Sequence, residues 1–135
     1  SYVNEGYNPV VFGSTCPESV RKKFTDLMFP LGQMPEVPEQ NLEAYAVITA
    51  MGPTYLWFQL AELIQLGQRF GLSETDAFRA VYSMTEGALK IMKDSGLSPE
   101  AVMDLVPVKP LADHEETIRV MYNQTLSGLY EKLTS

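Results

Sequence analysis

The chain is poor in the residues that carry most dedicated chemistry. It has one cysteine, Cys16, and one histidine, His114. A lone cysteine excludes an internal disulfide and fits a reducing compartment, so a cytoplasmic location is expected. No Cys/His cluster stands ready for a metal, and there is no P-loop pattern or low-complexity stretch. Positive charge is scarce too. Ten Lys+Arg against 17 Asp+Glu leave a net charge of −7 with no basic stripe, which repels phosphate backbones and argues against nucleic acid as a partner. Apolar runs are broken every few residues by Gln, Glu or Arg. None approaches the ~20 residues needed to span a bilayer, so no membrane partner is expected. A charged N-terminal region followed by an apolar run is also missing, so no signal peptide is expected.

What is present suits one domain with a modest core: 135 residues, of which 45% are apolar. The opening reads as β-α-β. Asn8–Gly13 is a short apolar run between turn residues and suits a buried strand. Pro17 can occupy a first helical turn, and Val20, Phe24, Leu27 and Met28 follow at helical spacing up to Pro30-Leu31-Gly32. Met34-Pro35-Glu36-Val37 is a second, proline-broken strand at a sheet edge. Two strands and one helix bury too little surface to stand alone, because parallel sheets are stable when covered on both faces. The expectation is a chain that begins partway through a larger sheet.

From Asn41 onward the pattern is helical. Asn41 is an expected N-cap for a helix over Leu42 to Ala50, and Gly52-Pro53 ends that helix and starts the next. Between Tyr55 and Phe70 the polar residues Gln59, Glu62, Gln65 and Arg69 fall on one narrow stripe, leaving most of the circumference apolar. Such a helix needs cover on several sides, which points to a dimer. Gly71 closes it, and Ser73 with Asp76 caps the next helix, whose expected buried face is Phe78, Val81, Tyr82, Ala88, Leu89 and Met92, up to Gly96. Ser98-Pro99-Glu100 opens a short helix to about Leu105. After a loop over Val106–Ala112, Asp113 with Glu116 reads as a capping box. The last helix has one face in Ile118, Met121, Tyr122, Thr125, Leu126, Leu129, Tyr130 and Leu133. Gly67 and Gly87 inside helices cost ~1 kcal/mol each relative to Ala, so another helix is expected to pack closely at both.

Several local patterns, in order, carry a family resemblance. Glu36-Val37-Pro38-Glu39 precedes a short helix; Ala50-Met51-Gly52-Pro53-Thr54-Tyr55 is similar to Gly-Ser-Gly-Pro-Ala-Tyr; Gly67, Gly71-Leu72 and Gly87-Ala88 fall at small-residue positions; Ser98-Pro99 and Val102-Met103-Asp104 resemble His-Pro and Leu-Lys-Asp elements. Together these resemble the C-terminal dimerisation domain of pyrroline-5-carboxylate reductase, and Glu5-Gly6 with the strand to Gly13 resembles the end of that family's nucleotide domain. The resemblance implies a mainly α fold. This would be a helical dimerisation domain, similar to the C-terminal domain of 6-phosphogluconate dehydrogenase, over residues 39–135, preceded by a β-α-β remnant of a Rossmann sheet over residues 1–38. It implies a homodimer, and an oxidoreductase of proline biosynthesis that passes hydride from NAD(P)H to the C=N carbon of a small imine acid. No Gly-x-Gly-x-x-Gly follows a strand here. The cofactor half is therefore expected outside these residues, with no cofactor-binding residue within them and no activity from them alone.

The departure lies in the substrate loop. Where the family has Ser-Pro-Gly-Gly-x-Thr-Ile, this chain has Val108-Lys109-Pro110-Leu111-Ala112-Asp113-His114-Glu115-Glu116-Thr117-Ile118. Glycines let backbone amides approach an anion, and Leu111 and Ala112 do so less freely, while the added carboxylates disfavour an acid. By resemblance Thr117 is the catalytic, substrate-contacting hydroxyl, and Lys109 and Glu116 join it as substrate-facing residues, with Lys109 supplying charge for a carboxylate. Plainer readings stand beside these: Thr117 as a first-turn helix residue, Lys109 as a solvated side chain between prolines, His114 as an exposed first-turn residue rather than a proton carrier. Cys16 reads as an incidental thiol, since no histidine neighbours it. The altered loop also admits a related dehydrogenase or imine reductase for another small acid, and the apolar helix admits a non-catalytic association domain.

Overall fold

The computed structural model describes residues 3–135. The chain divides into two units, each taken by itself: one comprises the chain up to Pro53 together with Met121–Ser135, the other Thr54–Val120.

The first unit opens with the β-α-β. Strand β1 (Gly6–Tyr7), helix α1 (Glu18–Met28), a 3₁₀ turn (Phe29–Leu31) and strand β2 (Gly32–Gln33) follow in order, and the strands pair in parallel, Gly6 against Gly32 and Tyr7 against Gln33. The strands therefore lie earlier than the apolar runs Asn8–Gly13 and Met34–Val37. Pro35 has no N–H to donate to the Asn8 carbonyl, which breaks the regular ladder after its second rung. Beyond that break a bridge between Val10 and Glu36 remains, held by Val10 N–H to the Pro35 carbonyl (2.9 Å) and Val37 N–H to the Val10 carbonyl (3.0 Å). Gly32 has φ +120°, and a Cβ there would sit 2.1 Å from the Gly6 carbonyl oxygen, so the close strand approach requires glycine.

Arg21 ties α1 to the segments that follow both strands. Its Nη1 donates to Glu36 Oε1 at 2.7 Å, its Nε donates to the Cys16 carbonyl at 3.3 Å, and its guanidinium lies 5.1 Å from the centre of the Phe12 ring. Phe12 meets Phe24 edge to face at 5.8 Å. Pro17 sits at the N-cap of α1, just outside the helix rather than in its first turn. Asn41 does not cap by its side chain. Pro38 starts a 3₁₀ turn (Glu39–Asn41) whose Glu39 carbonyl already takes the Leu42 N–H, leaving Asn41 with near-helical backbone angles. The helix to Ala50 splits into α2 (Leu42–Tyr45) and a π-helical turn (Ala46–Ala50), with Thr49 Oγ1 donating to the Tyr45 carbonyl at 2.7 Å.

The second unit holds most of helix α3 (Gly52–Arg69), all of α4 (Glu74–Asp94) and α5 (Pro99–Met103), and the start of α6 (Ala112–Thr134). Gly71, at φ +100°, ends α3 in a Schellman motif: Leu72 N–H bonds the Gly67 carbonyl (3.1 Å) and Gly71 N–H the Gln68 carbonyl (3.0 Å). Ser73 Oγ then accepts the Asp76 N–H at 3.1 Å and so caps α4. A Cβ on Gly67 would lie 3.1 Å from Ala77 Cβ, so α3 and α4 do pack closely there, and Ala77 is 1% exposed. Gly87 differs: among the described residues of this unit nothing lies within 4 Å of its would-be Cβ.

Among the described residues only Val47 and Ala77 are fully buried. The expected buried face of α4 is correspondingly open. Phe78, Tyr82, Ala88, Leu89 and Met92 are exposed, and the inward line is instead Ala77, Val81 and Thr85. The expected face of α6 is half-buried at Tyr122, Leu126 and Leu129 but exposed at Ile118, Met121, Tyr130 and Leu133.

Candidate functional site

Two features of the second unit bear on function, a charged groove and an uncovered apolar surface. The groove, of about 690 Å³, is bounded by α5, the loop after it and the first turns of α6. Ser98 starts α5, its Oγ accepting the Ala101 N–H at 3.2 Å, and α5 ends at Met103 rather than near Leu105. Asp104 caps the C-terminus, its N–H shared between the Glu100 (3.2 Å) and Ala101 (3.3 Å) carbonyls. The loop then turns at Lys109-Pro110-Leu111-Ala112, with the Ala112 N–H bonded to the Lys109 carbonyl at 3.0 Å and proline second in the turn. Helix α6 begins at Ala112, so Asp113 lies within its first turn and is not the N-cap. The Leu111 carbonyl already accepts the His114 N–H at 2.9 Å, and the helix starts two residues too early for Asp113 to cap it.

The groove walls alternate charge with apolar surface. Met103, Pro110, Leu111, Ala112 and Ile118 supply the apolar part, and Glu100, Asp104, Lys109, Glu115 and Arg119 the charged part. Both cations are paired: Lys109 Nζ donates to Asp104 Oδ1 at 2.6 Å, and Arg119 donates to Glu115 Oε1 from Nε (2.8 Å) and Nη2 (2.6 Å). The Glu115 hydrogen bond and charge raise the Arg119 pKa further above its ordinary value. Glu100 is held below the usual carboxylate range, first by a hydrogen bond from its backbone amide, then by the Ser98 hydroxyl and the Arg119 charge.

Of the residues expected to face a substrate, Lys109 lines this groove, paired with Asp104 and still exposed; Glu116 and Thr117 do not line it. On a helix, 115, 118 and 119 share one face, and 116 and 117 point elsewhere. All three are exposed, as is His114. Asp104, Glu115 and Arg119 were not singled out as a group by sequence. The Glu115–Arg119 spacing of four was a readable signal, whereas the Asp104–Lys109 pair crosses a loop and carries no periodicity. No group of three metal-ligating side chains occurs among the described residues, and none of their helices is long and apolar enough to cross a membrane.

The apolar surface runs along α3 and α4. Trp57 and Phe58 are 66% and 68% exposed, and Phe78, stacked on Tyr82 at 6.2 Å, is 56% exposed. Large exposed apolar area of this kind marks an association surface.

Comparison with known proteins agrees with that reading. Residues 39–134 match the family described as pyrroline-5-carboxylate reductase dimerisation. A pyrroline-5-carboxylate reductase of Corynebacterium melassecola is 28% identical over 97 residues, covering 72% of this chain and 36% of that protein. One of Staphylococcus saprophyticus is 26% identical over 100 residues, covering 74% and 37%. This chain thus spans about a third of the length of these curated relatives. A Plasmodium falciparum pyrroline carboxylate reductase, solved with NADP bound, superposes with a TM-score of 0.79 at 21% identity, covering 96% of this chain and 55% of that one. That likeness extends the shared fold over the β-α-β as well as the helices. With 39–134 matched, the chain belongs to the pyrroline-5-carboxylate reductase dimerisation family.

Proposed function

We propose that this chain is the dimerisation and substrate-side part of an NAD(P)H-dependent reductase that reduces the C=N bond of pyrroline-5-carboxylate. Residues 1–38 would close a nucleotide-binding domain, and 39–135 would pair with a second copy. The observation that carries this reading is the uncovered apolar surface of α3 and α4 in a chain matching a dimerisation family.

The cofactor would supply a hydride when bound. No Gly-x-Gly-x-x-Gly follows a strand in this sequence, so its phosphate-binding turn would belong to the earlier part of the nucleotide-binding domain that residues 1–38 close. The chain's own residues act on the substrate side. Within the groove Lys109 offers a positive charge to a carboxylate; Thr117 and Glu116, which lie off the groove, would meet a substrate only from another face of α6. The apolar groove wall from Met103 to Ile118 suits a small ring. A second reading, reduction of a different small imine acid, is favoured by Pro110-Leu111-Ala112 standing where the resemblance expects glycines.

The test is NADPH oxidation by the full-length protein containing this chain. Turnover of pyrroline-5-carboxylate supports the first reading. Cofactor binding without turnover, rescued by another cyclic imine acid, supports the second.

A further inference from the structure

The Asp104–Lys109 pair joins two points whose backbones are already fixed. Asp104 is held by two bonds at the end of α5, and Lys109 opens a turn closed by the Ala112 N–H, with Pro110 restricting its own backbone to extended geometry. A lysine side chain otherwise loses up to about 2 kcal/mol of rotamer entropy on being ordered. Here its amine is placed at 2.6 Å from Asp104 Oδ1, on the wall of the groove, before any ligand arrives. An ammonium has three donors, and this contact uses one. The pair is too exposed to serve the fold much, at 41% for the lysine and 76% for the aspartate, since such ion pairs contribute about 0–1 kcal/mol. Arg119, the groove's other cation, is committed through two nitrogens to Glu115 on its own helix.

We propose that Asp104 is a positioning residue. It holds the Lys109 ammonium at the groove wall so that the remaining N–H donors meet the carboxylate of a small acid. The inference rests on the reductase reading above. It adds a specificity-determining pair, and the ligand class is a small cyclic acid with apolar ring carbons against Leu111 and Ile118.

The test uses the full-length enzyme, with KM and kcat measured for pyrroline-5-carboxylate and dimer integrity checked by sedimentation. Lys109→Met is expected to raise KM by about tenfold with a smaller change in kcat, the pattern of a lost binding contact. Asp104→Ala is expected to raise KM by about threefold to fivefold, and Asp104→Asn, whose amide oxygen still accepts from the amine, to restore most of it. The Asp104→Ala/Lys109→Met double variant is expected to match Lys109→Met alone, because a positioning residue has nothing left to position. An unchanged KM in Lys109→Met, or additive effects in the double variant, overturns the inference while leaving the reductase reading intact. Failure of the unaltered enzyme to turn over any cyclic imine acid removes the reading, and this inference with it.

Discussion

The β-α-β segment and the α3–α4 pair are stabilised in different ways. In the first, polar and backbone contacts inside the segment specify the geometry: the glycine-to-glycine strand approach, the Arg21–Glu36 pair, the guanidinium over Phe12. In the second, one close seam at Gly67 and Ala77 aligns the helices, while Trp57, Phe58, Phe78 and Tyr82 stay in water. A fully buried aromatic contributes on the order of 1.5–3 kcal/mol over an exposed one. Leaving four uncovered is a large stabilisation still unrealised within one chain. The first segment's geometry is set by contacts within it; on the proposed reading the second is completed by a second copy of the chain.

Substitutions can break this contrast. The largest effect is expected from Phe78→Asp combined with Leu89→Asp on the open side of α4. Burying two charges in an association surface should raise the dimer dissociation constant by at least about 100-fold, read by sedimentation. Gly32→Ala comes next. It adds a Cβ where none fits, at a positive φ, and should destabilise the β-α-β by about 1–3 kcal/mol in urea unfolding without changing the dissociation constant. Ala77→Leu overpacks the seam and should cost about 1–3 kcal/mol by the same measurement. The smallest effect is expected from Ser73→Ala, which removes the α4 cap for about 1 kcal/mol and should leave association unaltered.

The sequence made local punctuation legible and left partner-dependent features hidden. Gly71, Ser73, Gly96 and Ser98 act where they were read, because caps and left-handed termini depend on a few neighbouring residues. The strands lie earlier because apolar runs mark burial, whereas pairing depends on a donor that Pro35 lacks. Asn41 and Asp113 have capping side chains, but a preceding turn runs into each helix, leaving Asn41 with near-helical angles and Asp113 inside the first turn. The α4 face from Phe78 to Met92 follows a true periodicity, yet periodicity does not say whether a residue is covered by its own chain. In the groove, Lys109 was legible as a lone cation in an altered loop. Its partner Asp104 was not, since a contact across a turn leaves no pattern.

Sedimentation equilibrium of this 135-residue chain tests the central claim most directly. The account predicts a dimer of twice 15.1 kDa at micromolar concentration, reduced toward 15.1 kDa by the paired α4 substitutions. A chain that stays at 15.1 kDa in the unaltered protein at the same concentration would contradict it.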